Sequence, residues 1–263
     1  MDDHPCAKGN PHSMHDLVSI ITPTFDSAAF LPQTAASVRS QTHQNWEWLI
    51  TDDFSQDGTW EMAQALCASD SRIKAVRNDA NRGPAFSRNR SMDRTKGQFF
   101  AFLDADDLWL PDKLEQHLNF MIADSIRFSF TAFEIIDRNG QTTGKVVDGK
   151  SRTSVNYEDM LRKKATMGCS TVMIERDLVG DARMPELRTG QDYAFWLALL
   201  RTGITAACLP SGLTQYRIVP GSISRNKIGK ARRQWQIYRE CEQLGLGKSL
   251  ECFMFYAWRA MFR

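Results

Sequence analysis

Short apolar runs alternating with amphipathic stretches constrain this chain more than any other feature it carries. The runs at 17–21, 46–51, 73–76 and 99–103 are separated by helical patterns of about 10–20 residues. That spacing is the mark of βαβ units around a mostly parallel sheet. Helix starts punctuate the intervening stretches: Pro32 near the first, Asp57 ahead of Thr59 and Trp60, and Pro111 ahead of 112–121. Each apolar run passes into polar residues at its C-terminal end, where open α/β sheets hold their ligands. The loops 22–27, 52–57 and 104–107 are therefore predicted to converge on one site.

After residue 124 the rhythm changes. An extended run at 126–137, a turn at Arg138-Asn139-Gly140 and a second run at 167–174 predict a mixed or antiparallel extension of the sheet. A helix over 191–201 follows, then a Gly-, Pro- and Ser-containing stretch to Ser224, then two helices separated by Gly245-Leu246-Gly247. The expected class is α/β, a mostly parallel central sheet flanked by helices. With 263 residues, 42% of them hydrophobic, such a chain can bury its core without disulfides or structural metal.

Charge is unevenly spread. Residues 225–263 hold nine basic and three acidic side chains, a balance of +6 that leaves the rest at −4 against the overall +2. This pattern argues against a nucleic-acid binder and for a local anionic contact by the C-terminus, or for a solvated helix face. Six cysteines without a C-x-x-C pair fit a reducing compartment. The start lacks the pattern of a secretory leader, and no window is apolar enough to span a membrane, so the expectation is a cytoplasmic protein, free or peripheral on the inner face of the membrane. Residues 1–16 read as a flexible lead-in, in which His4, Cys6, His12 and His15 lack zinc-site spacing.

The segment Phe99-Phe100-Ala101-Phe102-Leu103-Asp104-Ala105-Asp106-Asp107 ends an apolar strand in three carboxylates. Carboxylates so close repel unless they share a cation, and hard oxygen ligands completed by a nucleotide diphosphate suit Mg²⁺ or Mn²⁺. A solvated acidic turn, with Asp106 or Asp107 capping the next helix, accounts for the same residues.

Three further blocks bear on that choice: Thr22-Pro23-Thr24-Phe25-Asp26, Thr51-Asp52-Asp53-Phe54-Ser55-Gln56-Asp57-Gly58-Thr59, and Asn81-Arg82-Gly83 with Arg88-Asn89. In order, spacing and position, these blocks and the acidic segment resemble the nucleotide-binding half of family 2 glycosyltransferases over about 17–124. The resemblance implies a GT-A fold that binds a nucleotide-diphospho-sugar, most often UDP-linked, and transfers the sugar with inversion. It divides the chain into the lead-in 1–16, a nucleotide-sugar half 17–124, an acceptor and catalytic-base half 125–224, and basic amphipathic helices 225–263. It lays Pro23, Thr24 and Phe25 along the base and ribose, and sets Asp53 to accept the uracil N3–H. It brings Arg88 to the nucleotide and acidic region, puts Asp104 at the ribose, counts Ala105 among the nucleotide-sugar-binding residues, and makes Asp106 the ligand of Mn²⁺ or Mg²⁺. Phe25 stands where a Tyr is frequent and keeps the stacking surface. Asp57 reads as the structural carboxylate of its loop, Asp107 as a helper or a cap, and Trp109 as a pocket wall or a core residue.

Gly190-Gln191-Asp192-Tyr193-Ala194-Phe195-Trp196 resembles the family's acidic dipeptide, with Asp192 matching the catalytic base and Gln191 replacing a frequent acid. A first-turn Asp also stabilises a helix by itself. Val219 stands where a His is frequent in the family, and Arg217, Ser222 and Arg225 are candidates to contact the diphosphate in its stead. The resemblance further implies a saccharide or lipid-linked saccharide acceptor and a setting in surface-polysaccharide assembly. Leu250, Phe253, Met254, Ala257, Trp258, Met261 and Phe262 form an apolar helical stripe flanked by Lys248, Arg259 and Arg263. It serves either as an interfacial helix on an anionic leaflet or as a lid over the catalytic domain. Two other functions stand beside the glycosyltransferase. A sugar nucleotidyltransferase calls for a Gly-rich phosphate loop after the first strand, which 22–27 lacks. A catalytically inactive nucleotide-sugar binder, suggested by Val219, would bind donor without hydrolysis or transfer.

Overall fold

A computed structural model describes residues 16–149, 154–219 and 227–262. His4, Cys6, His12 and His15, together with Ser222, Arg225 and Arg263, lie outside the described residues, as do the side chains of Met261 and Phe262. The first half alternates as its pattern predicts: β1 (Val18–Thr24), α1 (Leu31–Arg39), β2 (Trp46–Asp52), α2 (Thr59–Ser69), β3 (Ile73–Arg77), α3 (Pro84–Met92) and β4 (Phe99–Phe102). These strands pair in parallel in the order β3-β2-β1-β4. The chain therefore reverses its winding between β1 and β4, and a crevice opens there at the strand ends.

The remaining elements are β5 (Leu108–Trp109), α4 (Lys113–Ala123), β6 (Phe128–Ile136), β7 (Thr142–Val147), β8 (Ser154–Val155), α5 (Tyr157–Leu161), β9 (Val172–Glu175), α6 (Arg176–Val179), α7 (Gln191–Leu200), β10 (Ala206–Arg217), α8 (Lys227–Gln236) and α9 (Leu246–Phe262). They extend the same sheet as β4-β9-β6-β10-β5, with β7 on β6 and β8 on β10. β9 is antiparallel to both β4 and β6, and the Arg138-Asn139-Gly140 turn joins the antiparallel pair β6 and β7.

Period-two alternation explains why β4 is apolar throughout. Phe99, Ala101 and Leu103 join the core layer that holds Trp46, Trp48 and Leu114, whereas Phe100 and Phe102 join the opposite layer with Phe128 and Trp196. Trp196 of α7 is fully buried, edge-on to Phe102 with ring centroids 5.4 Å apart.

Two expectations need correction. The Gly-, Pro- and Ser-containing stretch after 201 is largely β10, a 12-residue strand lying parallel to β6. Its punctuation marks an irregularity: the register shifts between Leu209 and Gly212 and again before Thr214, so Pro210 costs the ladder no hydrogen bond. The run 167–174 is only partly strand, because Cys169–Thr171 forms a 3₁₀ turn ahead of β9.

The C-terminal helices pack against α5. The Tyr238 hydroxyl donates to the Leu161 carbonyl at 2.6 Å, Tyr157 donates to Glu242 at 2.6 Å, and Arg162 pairs with Glu251 at 2.7 Å. The stripe on α9 splits. Phe253 packs against the core and Cys252 is fully buried, while Leu250, Met254 and Trp258 point outward with Leu246, Trp258 being 62% exposed.

Candidate active site

The loops at the ends of β1, β2 and β4 are locked together by side chains. Asp52 is fully buried, accepts from Thr24 at 3.2 Å and from the Ser55 amide at 3.1 Å, and pairs with Arg77 at 3.2 Å. Asp57 accepts from the Ala28 amide at 3.0 Å and the Thr59 amide at 3.1 Å, tying the β1 and β2 loops together. Both act structurally. Asp53 accepts from Asn78 at 2.7 Å, from the Arg82 amide at 2.8 Å and from the Gly83 amide at 2.7 Å. A carboxylate has about four acceptor positions; three of those on Asp53 fix Asn78 and the 81–83 turn. Phe25 projects its ring outward, 48% exposed.

Gly83 takes φ +88 and Pro84 opens α3, which carries Arg88 inward. Arg88 is buried and ion-paired to Asp104, which holds the guanidinium charged despite its desolvation; Asp192 adds to that field. Its Nε and Nη1 are buried without hydrogen-bond partners, an arrangement that costs free energy unless a ligand or neighbouring group uses them. Asp106 is pushed up to about 6 by burial and then by the adjacent Asp104. Asp107 is fully enclosed and shifted well upward by burial. Ser170 donates to it at 2.5 Å and the Arg217 amide at 2.8 Å. It neither caps a helix nor faces the cavity; it joins β4, β9 and β10.

Arg217 corrects another expectation. Its Nε donates to the Asp106 carbonyl at 2.7 Å, Nη1 to the Arg138 carbonyl at 2.8 Å and Nη2 to Gln33 at 2.8 Å. Most of the fork is engaged in holding the acidic loop and the 137–138 turn, a structural task in place of the expected diphosphate contact. Trp109 is also resolved: it is buried in the core, donates to the Ser170 carbonyl at 2.8 Å and does not line the cavity.

Asp192 stands in the first turn of α7 behind Gly190, whose φ is +71. It accepts from the Tyr193 amide at 2.8 Å. Burial raises its pKa, while Arg88 and, more weakly, Lys163 favour its charged form. Gln191 is buried with Oε1 unpartnered.

One cavity of about 1510 Å³ is lined by Pro23 and Thr24 at the end of β1 with Phe25 beyond it, Asp53 just after β2, Arg88 from α3, Asp104, Ala105 and Asp106 after β4, and Asp192 from α7. Val219 also lines it. Lys163, for which the sequence carried no signal, lines it too; so do three cations of the C-terminal helices, Lys230, Arg233 and Arg259, whose place on these walls the sequence did not reveal. The basic excess of 225–263 was their only signal. Among the described residues no three His, Cys, Asp or Glu side chains converge as a complete metal shell. Asp106 with Asp104 nevertheless suits a hard cation that takes one or two carboxylates from protein and the rest from phosphate oxygens.

The chain matches the model of glycosyl transferase family 2 over residues 19–179. It is 42% identical to TuaG of Bacillus subtilis (strain 168), named as a teichuronic acid biosynthesis glycosyltransferase, over 93% of this chain and 96% of that protein. It is 36% identical to WfgD of Escherichia coli, a UDP-Glc:alpha-D-GlcNAc-diphosphoundecaprenol beta-1,3-glucosyltransferase, over 84% and 85%. Among solved structures, S. aureus TarS 1-349 in complex with UDP-GlcNAc superposes with TM-score 0.73 at 17% identity, covering 90% of this chain and 70% of that one. The mannosyltransferase PcManGT of Pyrobaculum calidifontis, in complex with GDP-Man and Mn²⁺, gives 0.68 at 15%, covering 95% and 71%. Sheet, crevice and likenesses together define a glycosyltransferase of GT-A fold. More narrowly, the chain belongs to glycosyl transferase family 2.

Proposed function

We propose that this enzyme transfers a sugar from a UDP-sugar, with inversion, to a hydroxyl of a lipid-linked saccharide during assembly of a bacterial surface polysaccharide such as a capsule, exopolysaccharide or lipopolysaccharide. One observation carries the reading: Asp192 faces the same cavity as Asp104 and Asp106, and Arg88 is electrostatically coupled to both sides. A base thus looks onto the place where a leaving diphosphate belongs. The remaining acceptor position on Asp53 and the exposed ring of Phe25 suit a uracil base. Pro23 and Thr24 flank the base and ribose, Asp104 and Ala105 orient the ribose, and Asp106 is the metal ligand. The names of WfgD and of the TarS complex support a UDP donor, and WfgD's name supports an acceptor carried on a lipid diphosphate.

In this scheme the acceptor hydroxyl gives its proton to Asp192 as its oxygen bonds to the anomeric carbon from the face opposite the diphosphate. The bond to the diphosphate breaks and UDP departs with the electron pair. Burial raises the Asp192 pKa, Arg88 works against that by favouring the charged form, and Arg88 also anchors Asp104. A bound Mn²⁺ or Mg²⁺ would supply charge neutralisation on the leaving group.

Among the described residues no helix is long and apolar enough to cross a membrane. The outward row Leu246, Leu250, Met254 and Trp258 on α9 suits a leaflet met from the aqueous side. Met254→Glu with Trp258→Glu is expected to abolish co-sedimentation with anionic vesicles; unchanged sedimentation contradicts that contact.

The test of function is incubation with UDP-sugars and a synthetic saccharide bearing an alkyl diphosphate, the product's linkage being read by NMR. A β-linked product from an α-linked donor is expected. Donor binding without transfer or hydrolysis would favour the inactive binder that Val219 suggests.

A further inference from the structure

A cavity of about 1510 Å³ exceeds the roughly 300–1,000 Å³ of a site for one small ligand. Its lining mixes charges: Asp104, Asp106 and Asp192 lie on it, Lys163, Lys164 and Arg188 as well, and the C-terminal helices contribute a wall that carries Lys230, Arg233 and Arg259. Charge is neutralised where these helices meet α5: Lys248 pairs with Glu158 at 2.7 Å, and Glu251 with Arg162 at 2.7 Å. Among the described residues no carboxylate pairs with Lys230, Arg233 or Arg259. Arg233 spends one bond on Gln236, at 2.6 Å, and retains the rest of its fork. Like charges gathered on one wall repel, and an anionic ligand relieves the repulsion.

The position of this wall ties it to the chemistry. A Cβ placed on Gly190 would lie 3.6 Å from Arg233 Cγ and 3.1 Å from Ile237 Cδ1. The stem of Arg233 therefore rests against the turn that opens α7, two residues before Asp192. An anion gripped by this wall sits beside the base, on the acceptor's side of the cavity.

We propose that Lys230, Arg233 and Arg259 form the anion-binding part of the acceptor subsite and take the phosphate or diphosphate attached to the acceptor's sugar. The inference rests on the glycosyltransferase reading above. It makes the C-terminal helices part of substrate recognition, in the manner of arginine forks on phosphate. A phosphate carried by the acceptor and a phosphate of a bilayer headgroup present the same chemistry, and the experiment separates them.

The experiment uses the full chain, wild type and Arg233→Gln with Arg259→Gln. Two soluble acceptors share one saccharide, one as an alkyl diphosphate and one as a neutral alkyl glycoside. Loss of charge-assisted contacts is expected to raise KM for the diphosphate acceptor about tenfold or more, with less than a twofold change for the neutral glycoside and no change in UDP affinity. Equal changes for both acceptors, or none, overturn the proposal. Calorimetric titration of the alkyl-diphosphate saccharide into UDP-loaded protein reads the subsite directly even without turnover. Binding weakened by the variant supports the subsite when transfer fails, whereas absence of UDP binding in wild type strikes the underlying reading instead. Phosphatidylglycerol vesicles give the last arm: a variant that loses vesicle binding while keeping its diphosphate KM assigns these cations to headgroups and overturns the proposal.

Discussion

The two sides of the cavity are built differently. On the side formed by β1 to β4, the carboxylates are pinned from several directions: Asp52, Asp53, Asp57 and Asp107 each accept from two or more groups, and Arg217 is spent on holding the acidic loop. On the α7 side, Asp192 accepts one hydrogen bond from the adjacent amide, behind a glycine in a left-handed conformation. The difference teaches where rigidity serves binding. Under the proposed function a nucleotide would meet acceptors already fixed in place, and such preorganisation lowers the cost of association. In the proposed scheme the base Asp192 meets a hydroxyl brought by a second substrate, and the turn before it rests on Arg233 and Ile237 of the C-terminal helices.

The largest effect expected from this contrast is on Asp192→Asn. Transfer should fall by about 10²–10⁴ while UDP affinity stays at the wild-type level, as measured by single-turnover kinetics and calorimetry. Parallel loss of both would dissolve the distinction between the two sides. Next comes the cation. Exhaustive chelation, like Asp106→Ala, is expected to weaken UDP binding by about tenfold or more, since one charge-assisted contact to a phosphate carries about that much; undiminished turnover after chelation contradicts it.

The well-pinned side has a flaw that sharpens the contrast. Lys113 is fully buried, its Nζ has no hydrogen-bond partner and lies 4.0 Å from the centre of the Trp109 ring, and burial lowers its pKa from 10.5 to about 7. The unfolded chain therefore binds this proton more readily than the folded one between those values, so stability rises with pH across that window. Lys113→Met removes the slope and is expected to raise Tm at pH 7 by several °C, on the order of 2–4 °C per kcal/mol. Equal slopes in both proteins would sink this assignment.

A smaller effect is expected at Lys163, which favours the charged form of Asp192. In Lys163→Gln the base keeps its proton to higher pH, so the acid limb of kcat/KM moves upward. An unmoved limb removes Lys163 from the base's surroundings.

Much of this was legible in the chain because it is local. The strands β1 to β4 follow from period-two burial on two faces, helix starts from Pro32 and Pro111, and the candidate donor residues from motifs at strand ends. β10 was hidden because Pro210 and Gly212, usual loop markers, occupy register shifts inside a strand. The task of Arg217 was hidden for another reason: its partners at Asp106, Arg138 and Gln33 are brought to it only by the sheet. The same holds for Lys230, Arg233 and Arg259, whose charge was visible and whose wall was not. Short-range pattern specifies elements, whereas long-range closure specifies which side chains share a cavity.

The most direct test of the account is a set of UDP titrations with Mn²⁺ on wild type, Asp106→Ala and Asp192→Asn, each paired with a transfer assay. The account predicts that Asp106→Ala loses UDP affinity and that Asp192→Asn binds UDP as wild type does yet fails to transfer. Full UDP affinity in Asp106→Ala, or lost affinity in Asp192→Asn, would contradict a preformed donor side separate from the base.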